Sequence, residues 1–251
     1  MDRFIYTAMT GATQTLGRQA AVTNNLANVN TDGYRAAEHR ARAVPVLAQG
    51  NAKLTALPTR AMTVEATTHT NFNSGPLMST GRPFDVAIKG QGWIALAMPD
   101  GTEAYTRAGS LQLSVNGILQ NAAGIPVQGD GGPINIPPDN KITVGSDGTI
   151  SLVPETGAQT VNALGRIKLV DPPEGGLMRG DDGYFRMVDG TAAPASETVK
   201  VVSGFVEGSN VNPAEQMVTM ISLARQFEMQ IKMLQTADAN DRAASQILSP
   251  R

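Results

Sequence analysis

The sequence has no cysteine, which excludes disulfide staples, cysteine-bound metals and thiol catalysis. Charged residues are only 17% of the 251, and the net charge is −2, so no global basic field exists to attract nucleic acid. Aromatic residues are 4%, with Trp93 the single tryptophan, which is few for a glycan-cleaving cleft between paired carboxylates. No apolar run approaches the roughly 18 residues that a membrane-spanning helix requires, so no membrane insertion is expected. The start, Met1-Asp2-Arg3-Phe4, has no basic stretch leading into an apolar one, and no cleavable secretory signal is expected. The only histidines, His39 and His69, stand outside any ligand spacing, and no nucleophile elbow occurs. Gly90-Gln91-Gly92 lacks the third glycine of a dinucleotide loop. Asp130-Gly131-Gly132, Asp147-Gly148 and Asp181-Asp182-Gly183 do not continue into a calcium loop and read as turns. Neither a catalytic residue nor a metal or cofactor is expected, and the protein is not expected to be an enzyme.

What is present is apolar residues at 41%, together with 26 glycines and 15 prolines, a composition that suits many short strands. Residues 2 to 29 contain no proline and carry Ile5, Met9, Ala12, Leu16, Gln19, Thr23 and Leu26 at three-four spacing, the seam of an amphipathic helix. Asp2 suits its start, whereas Gly11 and Gly17 weaken it. It runs into Asn24, Asn25 and Asn28, which read either as the frayed end of the helix or as residues making directional hydrogen bonds to a partner, and Gly33 supplies a left-handed stop. At the other end, Asn212-Pro213-Ala214-Glu215 has the form of a capping box. The spacing predicts a helix from Pro213 to Leu248, 36 residues or about 54 Å long. Its seam is Met217, Met220, Ala224, Phe227, Ile231, Leu234 and Leu248, polar at Asp238, Asp241 and Ser245, with Pro250 as the stop.

Between the helices the period changes. Phe84–Ile88, Trp93–Met98, Glu103–Arg107, Leu111–Val115, Ile142–Val144, Thr149–Val153, Arg166–Val170, Tyr184–Val188 and Val199–Val206 read as short strands. Pro99-Asp100-Gly101, Asn116-Gly117, Asp147-Gly148 and Asp182-Gly183 read as the turns between them. The expected class is α+β: N- and C-terminal helices paired as a coiled-coil-like bundle, a central all-β antiparallel domain, and an extended connector. The expected divisions are 1–35, 36–83, 84–207 and 208–251. Arg35, Arg40 and Arg42 read as a solvated face or as ion-pairing residues. Two helices pairing alone barely offset their own ordering entropy, so assembly with further copies is expected to complete their order.

Asn24-Asn25-Leu26-Ala27-Asn28-Val29-Asn30-Thr31-Asp32-Gly33-Tyr34-Arg35 resembles the N-terminal signature of bacterial flagellar rod and hook proteins. Thr80 to Trp93, Glu103 to Ser110, Glu207 to Asn212, Met217 to Ile221, Arg225 to Glu228 and Thr236 to Asp238 are similar to later segments of the same family, in the same order. Asp2 to Met9, Trp93 and Arg179 to Gly183 resemble the proximal-rod type, with the distal-rod type as the alternative. The resemblance implies a structural subunit of the rod in the periplasm, inside the flagellar basal body. It implies export through the flagellar type III apparatus, and partners that are other copies of the chain and neighbouring rod proteins, proximal below and distal above. It further implies that the terminal helices pair into an inner tube with the β domain as an outer layer. The residues expected to make subunit contacts are Ile5, Met9, Leu16, Asn24, Asn25, Leu26, Asn28, Gly33, Asn210, Asn212, Met217, Met220, Phe227, Ile231 and Leu234. A secreted peptidoglycan-binding module and an adaptor with its own coiled coil are the rival readings.

Overall fold

The structure is a computed structural model that describes residues 2–45, 61–137, 140–154 and 162–248. The class is α+β, with two helices packed together and antiparallel strands, and the chain divides into two units.

The first unit holds helix α1 (Asp2–Ala27), strands β1 (Ala37–Pro45) and β2 (Ala61–Thr70), and helix α2 (Pro213–Leu248). α2 starts as its sequence dictates. The Asn212 Oδ1 accepts the free N–H groups of Ala214 (3.1 Å) and Glu215 (3.4 Å), and Pro213 sits where no N–H is needed. α1 packs on α2 and also on both strands. The strands form one long hairpin, in register from Ala37 opposite Thr70 to Pro45 opposite Ala61, with a bulge between Arg40 and Ala41. This differs from an extended connector: residues 37–45 and 61–70 pair with each other and give α1 a second partner within its own chain. β-branched Thr63, Val64, Thr67, Thr68 and Thr70 suit that pairing, but their weak alternation hides it in the sequence. Gly17 has a use here beyond weakening the helix. A Cβ on it would lie 3.0 Å from His39 Nε2, so its bareness lets β1 approach. The centre of the expected connector, 46–60, and the expected helix stop, Pro250, lie outside the described residues.

The second unit comprises Asn28–Arg35 and Phe72–Val211. It adds β3 (Leu77–Ser79), β4 (Val86–Lys89), β5 (Trp93–Ala97), β6 (Glu103–Thr106) and the short strands that follow. The largest sheet has five strands in the order 169–170, β5, β6, 185–187, 177–179. One core cluster gathers Val86, Ile94, Leu96, Leu111, Leu119, Ile150, Ile167 and Leu169. A second gathers Trp93, Tyr105 and Phe185, with the Trp93 and Phe185 rings 4.6 Å apart. Gly101, Gly117, Gly148 and Gly183, the four turn glycines, all have φ between +77° and +85°, as tight turns require.

Two expected strands prove to be two each. Val199–Val206 breaks at Gly204 (φ +79°), after which Lys200–Ser203 pairs with β4 and Phe205–Glu207 with β3. Arg166–Val170 divides between strand 162–166, on a three-stranded sheet, and strand 169–170, beside β5. Hydropathy continues across both breaks, so only the change of partner marks them.

Leu96 is fully buried in the first cluster, so Leu96→Ala should cost about 2–5 kcal/mol. Val115→Ala, at a fully exposed turn, should stay within about 0.5 kcal/mol. Denaturant unfolding midpoints of the two variants check the contrast.

Candidate functional site: the helix faces and a buried charge clasp

In the first unit, buried and half-buried positions of α1 run Ile5, Ala8, Ala12, Thr15, Gln19, Val22, Leu26. The expected seam shares Ile5, Ala12, Gln19 and Leu26 but steps through Met9, Leu16 and Thr23 instead of Ala8, Thr15 and Val22. Met9 and Leu16 are each 49% exposed, and Thr23 is exposed. α2 shows the same one-residue shift. Its inward line runs Gln216, Met220, Leu223, Phe227, Gln230, Leu234, Ala237, with Leu223 and Ala237 the most buried. Met217 faces out at 53% exposure, and Ile231 is half-buried beside the line.

The physical reason is close approach. Small residues on α1 admit the side chains of α2: a Cβ on Gly11 would sit 3.1 Å from Gln230 Nε2, and Thr15 Oγ1 donates to Gln230 Oε1 at 3.2 Å. Other bulky residues are thereby turned outward, while Leu223, Phe227 and Leu234 stay on the inward line. Tyr6, Met9 and Leu16 on α1, and Met217, Val218, Ile221, Met229 and Met233 on α2, are all about half exposed or more.

The asparagines separate by role. Asn24 is exposed. Asn25 is buried and works inside the chain: its Nδ2 donates to Ala37 O and its Oδ1 accepts from Ala37 N, both at 2.9 Å, which ties α1 to β1. Asn212 caps α2. Asn28, Gly33 and Asn210 belong to the second unit.

In that unit the segment after α1 and the segment before α2 are clasped. Gly33 N donates to Glu207 O (2.7 Å) and Asn210 N to Tyr34 O (3.3 Å). Gly33 adopts φ +66°, and a Cβ there would lie 2.2 Å from Ala108 N, so no other residue fits. Beneath these bonds lies an ionic triad. The Glu207 carboxylate accepts Arg35 Nη2 (2.7 Å) and Gly75 N (2.9 Å) on Oε1, and Arg107 Nη1 (2.9 Å) on Oε2. The Arg35 and Glu207 side chains are fully buried, and Arg107 is 4% exposed. Arg107 also donates to Gly90 O (2.7 Å), and its guanidinium lies 5.5 Å from the centre of the Trp93 ring. Burial lowers the Arg107 pKa, and Glu207 opposes that shift. Arg179 closes the edge, donating to Arg35 O (3.1 Å) and stacking 4.6 Å above the Tyr34 ring. A cavity of about 340 Å³ beside the clasp is lined in part by Asn28, Asp32, Tyr34, Arg107, Asn121 and Arg179.

Arg35 thus leaves the basic cluster expected from sequence. It is interior, whereas Arg40 pairs with Glu38 on the surface at 3.2 Å. Arg107 and Glu207 were missed as a pair because 100 residues separate them. The available signal was a charged residue close to a glycine in each of two family-like motifs, Arg107-Ala108-Gly109 and Glu207-Gly208. The acidic turns act as turns: Asp147 accepts from Thr149, and Asp182 from Tyr184 and Arg186, bonds that lower both carboxyl pKa values. No group of three or more His, Asp or Glu that could hold a metal occurs among the described residues, and no described helix is long and apolar enough to cross a membrane.

Three family signatures fall on these same segments. The flagella basal body rod protein family matches residues 5–35, the flagellar hook protein FlgE/F/G D1 domain 87–152, and the flagellar basal body rod FlgEFG protein C-terminal family 202–247. Arg35, Arg107 and Glu207 lie one in each. Over the whole length, the chain is 44% identical to the flagellar basal-body rod protein FlgF of Escherichia coli, covering 99% of both. The chain belongs to the FlgF family of flagellar basal-body rod proteins. It is 42% identical to the FlgF of Salmonella typhimurium, again over 99% of both chains. A FlgG of Buchnera aphidicola is more distant, at 32% over 90% of this chain. This is a family of structural rod proteins rather than enzymes, in keeping with the missing catalytic motifs.

Asp32, beside the clasp, has its pKa raised by burial and secondarily by Asp85. A carboxyl with a raised folded-state pKa favours the folded state at low pH, and that contribution is lost as pH rises through the folded value. Asp32→Asn should therefore be more stable than the parent at neutral pH. The difference should shrink on acidification below the ordinary carboxyl range, as followed by urea midpoints across pH.

Proposed function

We propose that the chain is a proximal-rod subunit whose copies join through the outward faces of α1 and α2. The observation that carries this is the line of large apolar residues left uncovered on a helix pair that already buries its small ones: Tyr6, Met9 and Leu16, with Met217, Val218, Ile221, Met229 and Met233. Exposed apolar area of this extent marks an association surface. In the assembled rod the pair serves as a coiled-coil-like stave of an inner tube, and copies stack with neighbouring rod proteins below and above. Travel through the flagellar type III apparatus to the periplasm fits a chain that has no cysteine to oxidise. The proximal assignment rests on the fuller match to FlgF proteins than to FlgG proteins.

Of the expected contact residues, Met9, Leu16, Asn24, Asn212 and Met217 are the accessible ones. Ile5, Leu26, Met220, Phe227, Ile231 and Leu234 are half-buried. Leu16→Asp and Met217→Asp should abolish polymer formation in sedimentation and negative-stain microscopy while leaving the monomer's unfolding midpoint nearly unchanged. Leu223→Asp, a charge placed where the parent side chain is 2% exposed, should cost several kcal/mol and disrupt the helix pair itself. Normal polymers from both surface variants would reject the surface.

Hydrogen exchange gives a second check. Amides of α1 and α2 should exchange faster than those of β5 and β6 in the monomer, then become slow on assembly. Equal protection of helices and sheet in a dilute monomer would mean that the helices need no further partner.

A further inference from the structure

We propose that Glu207 is a folding gate: the β-rich unit closes only when the segment carrying this carboxylate arrives to neutralise Arg35 and Arg107. The inference deepens the rod reading, since a chain that must be threaded unfolded gains from folding late.

The charge count carries it. The clasp buries two guanidiniums and one carboxylate. Glu207 makes all three of the side-chain bonds that join them: to Arg35 across 172 residues, to Gly75 across 132 and to Arg107 across 100. Among the described residues, no other carboxylate hydrogen-bonds either guanidinium. Asp171 acts on Arg107 only at a distance and is itself exposed. Arg35 and Arg107 repel each other across the site, and Arg35 Nε and Nη1 and Arg107 Nε have no hydrogen-bond partner even with Glu207 in place. Before Glu207 arrives, closing the sheet would bury two like charges and leave Gly75 N unpaired, so an open state with both arginines hydrated is preferred. Glu207 also comes late in the chain, on the strand that pairs with β3. Whichever end leads, the triad is complete only after everything between Arg35 and Glu207 has left a channel. Glu207 is thus the positioning residue that couples emergence of the whole segment from Arg35 to Glu207 to closure of the unit.

Refolding of the full chain from denaturant, followed by Trp93 fluorescence, tests the gate, because the single tryptophan packs against Arg107. Glu207→Gln should refold about tenfold more slowly than the parent, as a contact formed at the barrier requires. Glu103→Gln, which breaks the partly exposed pair with Lys168 in the same unit, should refold within about twofold of the parent. A Glu207→Gln variant that refolds at the parental rate and only unfolds faster would overturn the proposal. If Glu207→Gln does not refold, the triple variant Arg35→Met, Arg107→Met, Glu207→Met decides. It should refold at least as fast as the parent, with no charge left to await, and slower refolding would overturn the gate. Sedimentation of the refolded parent reads the rod assignment separately, because polymers form or fail regardless of which contact limits folding.

Discussion

One carboxylate held between two buried guanidiniums is the constraint on which the β-rich unit depends. Glu207 draws the segment that follows α1, the loop bearing Gly75 and the strand bearing Arg107 to a single point. Such a triad is weak evidence for high stability, because desolvation offsets much of the attraction. It is strong evidence for definition: removing Glu207 would leave two buried guanidiniums without a counter-charge. Gly33 and Gly75 are bare for the same reason. A Cβ on either would meet backbone at little more than 2 Å, so the strands of the clasp could not come within reach of one another.

The helical unit follows a different rule. Its interior line on α1 carries small residues, Ala8, Ala12 and Thr15, and on α2 mixes Leu223, Phe227 and Leu234 with Gln216 and Gln230. Close approach of the small residues and the glutamine bond of Thr15 hold the pair at short range. A second set of large apolar side chains, Met9, Leu16 and Met217 among them, is left on the outside. A helix pair built in the opposite way, with Met9 and Leu16 within, would be a better monomer and a poorer subunit.

These two arrangements divide the work of a structural protein. The clasp joins residues 33–35 to residues 207–210, using contacts within one copy. The outward helix faces leave large apolar side chains exposed, the surface proposed above for contact with other copies. Nothing in either arrangement resembles a catalytic site, and the described acidic clusters spend their carboxylates on turn hydrogen bonds and on Arg186.

Local signals were legible in the sequence wherever a short stretch decides its own conformation. The start of α2 at Asn212-Pro213, its extent to Leu248 and the four turn glycines follow from capping and φ requirements that involve only near neighbours. Family membership was legible too, because its motifs are contiguous. The inward face of each helix was not. Hydropathy selects Met9, Leu16 and Met217, but close approach selects Ala8, Thr15 and Gln216, and only the packed partner distinguishes the two. The hairpin of β1 and β2 stayed hidden because threonine-rich β2 alternates weakly and because 15 residues, 46–60, separate the two strands in the sequence. The breaks at Gly204 and after Arg166 stayed hidden because hydropathy does not register a change of partner. The triad of Arg35, Arg107 and Glu207 was decided by tertiary structure alone: three charges far apart in the chain become one site only when the fold removes the water between them.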